Sequence, residues 1–230
     1  MIRSPSKPPG LIRPCLPALA NKPPPGLDWL HEMKFNGHRV IARKDGERVR
    51  LWARTRSDYS DAFMRIRESV AALPVDSAVL DGEAVVLRPD QTSDFEALRS
   101  PNGQAAAVLV AYDLMEVDGH DVRPESLEER RTRLAKLLSR KNNPIGDGIQ
   151  LSEAITGDGD AIFRHACYMG LEGIVSKRIG SRYVSGRTRV WLKTKNPGFR
   201  IGVDASQART AAVAPGFLAN IRGEQSGTSD

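Results

Sequence analysis

The sequence has 230 residues, 40% of them apolar and 27% charged, with a formal net charge of +6 and a pI of about 9.5. This balance is typical of a globular protein, and the positive surplus is compatible with a polyanionic partner. No apolar run reaches the roughly 20 residues that cross a bilayer, and the N-terminus does not read as a signal peptide. Cys15 and Cys167 lack ligand spacing, which argues against a disulfide scaffold or a zinc site and favours the cytoplasm.

The chain begins with a proline-rich stretch, residues 1–26, for which we predict an extended lead-in. Apolar runs flanking Asp45-Gly46 predict a β-hairpin. Further strands are predicted over Ala78–Leu87, Ala107–Leu114, Gly173–Lys177 and Arg189–Lys195. Helices are predicted over Asp61–Leu73, Ser126–Leu138 and Asp160–Met169. The second helix opens with a capping box at Ser126 and Glu129, and Gly170 is expected to end the third.

These elements alternate without the regular rhythm of a doubly wound sheet. We therefore predict an α+β fold with mainly antiparallel sheets. Residues 27–197 are expected to form one domain, and residues 198–230, which mix Gly, Ala, Ser and charges, a loose tail.

Five short segments place charged side chains in or beside apolar strands. They are Glu32–Arg39, Leu80–Glu83, Tyr112–Leu114, Glu172–Arg178 and Trp191–Lys195. Alternate residues of a strand share a face, so Lys193 and Lys195 are expected to point the same way, away from Leu192. This pattern indicates a polar cleft lined by strands.

In content and order, the five segments resemble the nucleotidyltransferase motifs of the ATP-dependent DNA ligases, above all the bacterial end-joining ligases and their short relatives. The resemblance covers Leu27 to Pro197. It implies an ATP-grasp-like adenylation domain with sheets around a nucleotide cleft. It also implies the ligase reaction: a lysine takes AMP from ATP, AMP passes to a DNA 5′-phosphate, and a 3′-hydroxyl displaces it.

The resemblance assigns the nucleophile to Lys34. An ordinary lysine is protonated at neutral pH, so we expect burial and the nearby cations Lys177, Lys193 and Lys195 to lower the pKa of Lys34. The same cations would neutralise charge that develops on the phosphate.

The remaining contacts to ATP follow from the same resemblance. Glu83 and Glu172 are expected to hold Mg²⁺ or the ribose hydroxyls. Tyr112 would stack on adenine and Glu32 would read its edge. Arg39 and Arg54 match arginines that contact ribose or a DNA phosphate.

The chain departs from the family pattern at three places. Asn36 replaces the aspartate of Lys-x-Asp-Gly, and Arg56 replaces a glycine, so the local turn is expected to differ. Only 35 residues follow Lys195, fewer than the roughly 70 of an OB-fold barrel. We therefore expect the OB-fold to be absent and self-adenylation to be weak.

Structural alternatives stand beside several of these assignments. Asp81 fits a turn cap as well as a catalytic group, and Tyr112 fits plain core. Glu83 and Glu172 also fit surface ion pairs, and the two lysines after Trp191 also fit a solvated strand face.

The favoured function is an ATP-dependent DNA ligase for nicked or broken duplex DNA, acting in repair, recombination or replication near the bacterial nucleoid. Its partners would be other end-joining proteins or a separate OB-fold chain, with no membrane. One alternative is an RNA ligase or a capping-type guanylyltransferase. The other is a catalytically weak accessory module that binds nucleic acid.

Overall fold

The computed structural model describes residues 12–139 and 147–200. Within them the strands are β1 (Cys15–Ala20), β2 (Trp29–Lys34), β3 (His38–Asp45), β4 (Arg48–Ala53), β5 (Ser77–Val85), β6 (Val108–Val117), β7 (His120–Asp121), β8 (Ile149–Leu151), β9 (Ala154–Thr156), β10 (Gly173–Arg178) and β11 (Gly186–Lys195). The helices are α1 (Met64–Ala71), α2 (Pro101–Ala106), α3 (Leu127–Leu137) and α4 (Gly159–Tyr168), and Ala97–Arg99 form a short 3-10 turn.

The strands form two sheets. The first has the order β1-β11-β10-β2-β9, and the second has the order β4-β3-β5-β6-β7 with β8 beside β6. In the described ranges, β1–β11 and β6–β8 pair in parallel and every other strand pair is antiparallel. The predicted α+β class with mainly antiparallel sheets is confirmed.

Local sequence signals account for most of the element boundaries. Gly46 adopts φ 57° at the start of the two-residue turn between β3 and β4. Ser126 and Glu129 form the predicted reciprocal capping box of α3. Gly170, at φ 70°, follows the end of α4. Helix α1 is shorter than predicted, because the amide of Phe63 bonds Tyr59 O and this turn replaces the first helical residues.

The proline-rich N-terminal stretch is predicted as an extended lead-in without a strand, yet part of it is β1. This strand pairs in parallel with β11, more than 160 residues away, with a register shift between Pro17 and Ala18. A proline cannot donate to a ladder, and β1 is an edge strand, where that loss is tolerated.

Four apolar clusters lie in the described residues, and three of them join the sheets and helices. The largest packs the second sheet against α1 and α3. A smaller cluster joins the two sheets face to face through Ile41, Val79, Met115 and Trp191. The third packs α4 on the first sheet through Ile162 and Ile174. The face-to-face cluster fixes the spacing of the two sheets beside the cavity described below.

Among the described residues, the helices are too short or too polar to span a membrane. Residues 1–11, most of the predicted tail (201–230) and residues 140–146 lie outside the described ranges.

Candidate active site

A cavity of about 770 Å³ opens between the two sheets. This volume lies in the range of small-molecule sites. Eight of the ten residues predicted to act in the site line it: Glu32, Lys34, Arg39, Arg54, Glu83, Tyr112, Lys177 and Lys193. The other two, Glu172 and Lys195, are joined to Lys34 through a chain of ion pairs.

Strand register places Lys34 opposite an acid. In the first sheet Gly173 pairs with Lys34 on one side and with Lys195 on the other. Glu172, just before Gly173, accepts from Lys34 Nζ at 2.6 Å through Oε2, and Lys195 Nζ lies 3.3 Å from Oε1. Gly173 has φ 141°, and a Cβ there would meet Thr194 O at 2.0 Å. Only glycine therefore fits beside this acid.

The side chain in contact with Lys34 is the carboxylate of Glu172. Of the cations expected around Lys34, Lys177 bonds Glu32 instead, and Lys195 pairs with the same Glu172. The effect of these cations on Lys34 stays a prediction. Lys193 does lie in a field of positive charge: burial first, then Lys195 and Lys34, lower the pKa of Lys193, against the opposing effect of Glu172.

Glu83 approaches the cavity from the second sheet. The turn between β2 and β3 packs directly on β5, since a Cβ at Gly37 would meet Ala84 O at 2.4 Å and Glu83 Cγ at 3.0 Å. Burial raises the pKa of Glu83 to about 7, although Lys34 and Arg39 act in the opposite direction. The carboxyl is therefore partly protonated near neutral pH.

Arg39 is tied to the protein by a buried network. Asp81 accepts from Arg39 Nε at 2.9 Å and from Nη2 at 2.6 Å, and Nη1 donates to Cys15 O in β1. The hydroxyl of Tyr183 donates to the same Asp81 at 2.6 Å. Asp81 thus has a structural role. Tyr183, in the loop before β11, was missed because no local pattern marks it.

Another part of the cavity wall holds a buried ion cluster. Glu32 Oε1 accepts from Lys177 Nζ at 2.9 Å and from Arg131 Nη1 at 2.5 Å. Lys177 also donates to Tyr112 O and lies 4.1 Å from the centre of the Trp191 ring. Burial lowers the pKa of Lys177, and Glu32 opposes that effect.

Tyr112 lies between two cations, with Arg39 Cζ 5.5 Å and Lys177 Nζ 4.7 Å from its ring centre. Its ring is part-buried against the apolar cluster between the sheets and also lines the cavity. Tyr112 is therefore part of the apolar core and also part of the cavity wall.

Arg131 and the wall residue Ser152 were absent from the sequence prediction. A signal for Arg131 existed, because the helical period places it on the same face of α3 as the buried Leu127 and Leu134.

The two substituted motif positions lie in turns. Asn36 follows β2, and its backbone N–H donates to Ser93 Oγ at 3.1 Å. Arg56 adopts φ 72°, a conformation that favours glycine, and its amide closes a turn onto Ala53 O. Arginine takes a glycine-like conformation here, at a cost of about 1 to 2 kcal/mol, and the expected difference from the family's turn stays a prediction. Arg54, in the same turn, is exposed at the cavity rim.

The described residues contain no cluster of three or more His, Cys, Asp or Glu side chains suited to a metal. Glu83 and Glu172 supply two carboxylates near Lys34: Glu172 is paired with Lys34, and the charges of both Lys34 and Glu172 act on Glu83. Mg²⁺ commonly binds through one or two carboxylates together with substrate phosphates. The two carboxylates therefore fit a Mg²⁺ ion that is also bound by the phosphates of a nucleoside triphosphate.

Fold and site together define a nucleotidyltransferase-like domain: two mainly antiparallel sheets enclose a cleft with a lysine, two acids and further cations. The family model described as "ATP dependent DNA ligase domain" matches residues 21–195. The chain belongs to this family of ATP-dependent DNA ligase domains.

Individual relatives agree with this assignment. The chain is 36% identical over 190 residues to the "Multifunctional non-homologous end joining protein LigD" of Pseudomonas aeruginosa, covering 81% of this chain and 22% of that protein. A "Probable DNA ligase" of Sorangium cellulosum is 34% identical, with 80% and 38% covered. The solved ligase domain of LigD from M. tuberculosis superimposes with a TM-score of 0.67 at 29% identity, covering 80% of this chain and 60% of that one. A mycobacterial DNA ligase D structure described as complexed with ATP gives a TM-score of 0.66 at 28% identity.

The chain thus spans about a fifth to two fifths of the curated relatives it matches.

Proposed function

We propose that this domain is an adenylating enzyme in which Lys34 takes AMP from ATP. The observation that carries the proposal is the position of Lys34 on the cavity wall, 2.6 Å from Glu172 and across from Glu83. In the reaction Nζ forms a bond to the α-phosphorus, and the bond from that phosphorus to the bridging oxygen breaks to release pyrophosphate. The amine must first lose a proton, for which Glu172 Oε2 is the acceptor in contact.

The other residues of the cavity have matching tasks. Mg²⁺, held by Glu83 and Glu172, would neutralise charge on the phosphates. Lys193 and Lys195 would stabilise the negative charge that moves onto the pyrophosphate.

The sugar and base face the remaining wall of the cavity. Tyr112 would contact the adenine ring and Glu32 its polar edge. Arg39 is already bonded to Asp81, so its part is to hold the wall near the ribose, while the exposed Arg54 would meet ribose or a DNA phosphate.

We further propose that AMP is passed to a DNA 5′-phosphate and that the chain joins nicked or broken duplex DNA during repair in the bacterial cytoplasm. The names of the relatives, LigD and probable DNA ligase, support this proposal. Partners of the end-joining type, or a separate OB-fold chain, belong to the same proposal.

Incubation with α-labelled ATP and Mg²⁺, followed by denaturing electrophoresis, tests the first step. The wild-type chain and Lys136→Ala, a change at an exposed lysine of α3, should carry label, whereas Lys34→Ala should carry none. Unlabelled ATP should compete with the label, and unlabelled GTP should compete poorly. Label that persists in Lys34→Ala would refute the assignment, and stronger competition by GTP would favour a guanylyltransferase.

Asn36 favours a second candidate, an accessory module with weak catalysis, because an amide there lacks the charge of the family's aspartate. If this candidate is correct, the wild-type chain binds nicked DNA and takes up no label. If only the missing carboxylate limits the reaction, Asn36→Asp should increase the rate of labelling.

A further inference from the structure

Arg131, on helix α3, lies outside all five motif segments and still contacts the cavity wall twice. Nη1 donates to Glu32 Oε1, and Nη2 donates to Ser152 O at 2.7 Å. Glu32 and Ser152 both line the cavity, whereas Arg131 is not among the lining residues that the structure describes. Arg131 therefore supports the wall without forming part of it.

The two donors to Glu32 bind the same oxygen. Lys177 Nζ, from β10, and Arg131 Nη1, from α3, both bond Oε1, so the carboxylate is fixed from two directions. Among the described residues, the hydrogen bonds to the Glu32 carboxylate reach Oε1 and none reaches Oε2. Glu32 is 3% exposed, so the orientation of this second oxygen is set by the protein and not by solvent.

A fixed carboxylate oxygen at the base end of the cavity discriminates between purines. Adenine presents an amine donor at the position where guanine presents a carbonyl acceptor. A carboxylate accepts from the amine and repels the carbonyl oxygen. The discrimination is strong only when the carboxylate cannot turn away, because a mobile acid would avoid the guanine carbonyl at little cost.

We propose that Arg131 is a positioning residue for base selection: it holds Glu32, and the Ser152 backbone beside it, so that the cavity prefers ATP over GTP. The inference rests on the proposed function, since it assumes that the cavity receives the nucleotide with its base near Glu32. Arg131 itself does not contact the nucleotide.

The test is calorimetric binding of ATP and GTP to the full chain in EDTA, where no AMP transfer is expected. Arg131→Met removes the guanidinium and keeps an apolar stem. We expect the dissociation constant for GTP divided by that for ATP to fall at least about tenfold. This is the factor that accompanies loss of one charge-assisted hydrogen bond. Arg131→Lys keeps the charge but cannot reach both acceptors, so it should give an intermediate ratio.

The matched control is Arg133→Met, two residues along the same helix. Arg133 is half exposed and pairs with Glu125, so the ratio should stay at the wild-type value. In kinetic labelling, Arg131→Met should raise the KM for ATP and leave the rate at saturation unchanged, as expected for a lost binding contact.

The inference would be overturned if this ratio were unchanged in Arg131→Met, including the case in which ATP and GTP both bind more weakly by the same factor. Either result would mean that Arg131 supports the cavity wall without affecting the choice of base. If Arg131→Met does not fold, the ratio measured for Arg131→Lys decides in the same way. A wild-type chain that prefers ATP but takes up no label would overturn the proposed function and leave the base-selection inference standing. A labelled chain without purine preference would overturn the inference alone.

Discussion

At the scale of single residues, the site is organised by which charges are in contact. Lys34 donates to Glu172 at 2.6 Å, so the proposed nucleophile and its proposed proton acceptor are already in contact. Glu172 in turn pairs with Lys195, so one carboxylate joins two of the lysines proposed for the chemistry.

Glu83 gives a prediction on pH and stability. Burial raises the pKa of Glu83 from 4.5 to about 7, so the folded state holds this proton more tightly than the unfolded chain. The stabilisation is therefore present below pH 4.5 and is lost as the pH rises through about 7. Between pH 4.5 and 8 the wild type should lose about 1 to 3 kcal/mol relative to Glu83→Gln.

Urea unfolding of both proteins at pH 5 and pH 8 measures this difference. Glu47→Gln, a change at an exposed acid in the β3–β4 turn, serves as the control. A gap between wild type and Glu83→Gln that is the same at both pH values would show that burial does not perturb this carboxyl.

Eight of the ten residues predicted for the site line the cavity, whereas the residues that hold them in place were not predicted. Lys34 and Glu83 carry charge within apolar strands, and Glu172 directly precedes one, so the contrast is visible locally. Arg131 and Tyr183 act through partners distant in the chain: Tyr183 bonds an acid 102 residues away. The helical period marks the face of Arg131, but the partners of both residues are set only when the two sheets come together, so the spacing of residues does not reveal those partners.

At the scale of elements, glycines bring the reactive strands together. Gly37 lets the β2–β3 turn rest on β5, and Gly173 lets β10 approach β11. Both glycines flank residues of the proposed chemistry. In Asn36-Gly37 and Glu172-Gly173, the glycine lets the backbone pack closely on a neighbouring strand, and this packing positions the polar side chain before it.

Gly37→Ala tests this packing. The new Cβ would meet Ala84 O at 2.4 Å, and a backbone atom yields little, so the turn that follows Lys34 must shift. We expect a loss of about 1 to 3 kcal/mol in the free energy of unfolding and at least about tenfold slower labelling with AMP. Gly198→Ala is the control, because its nearest neighbour is a side-chain atom of Asn196 at 3.3 Å.

Labelling at the wild-type rate in Gly37→Ala would show that the approach of the turn to β5 does not matter for the chemistry.

Strands β3, β4, β5, β6, β10 and β11 were predicted from sequence within a few residues. Strands β1 and β2 and the short strands β7, β8 and β9 were not predicted. Strand β1 shows why. Its pairing with β11 is parallel and distant, and prolines in the segment argue against a strand. The wall that β1 adds to the cavity, Leu16 to Leu19, therefore had no sequence signal.

At the scale of the whole molecule, the net charge of +6 suits a DNA partner. Two exposed arginines line the cavity: Arg54, which follows β4, and Arg187, in β11. Arg56 is exposed in the same turn as Arg54. Substrate phosphates that approach the cavity would meet these side chains first.

The affinity for nicked duplex DNA should fall with salt by about 0.9 log units per log unit of salt for each phosphate contact. Arg54→Gln and Arg187→Gln should each reduce this slope by roughly one contact. Arg133→Gln should not, because Arg133 is already paired with Glu125. The measurement is a salt titration of binding by fluorescence anisotropy, and a flat salt dependence would contradict a phosphate-binding surface.

The most direct measurement of the central claim is peptide mapping by mass spectrometry after incubation of the intact chain with ATP and Mg²⁺. The account predicts one AMP group, attached to Lys34 and removed when pyrophosphate is added. AMP on any other side chain, or on none while DNA strands are still joined, would contradict the assignment of Lys34 as the nucleophile.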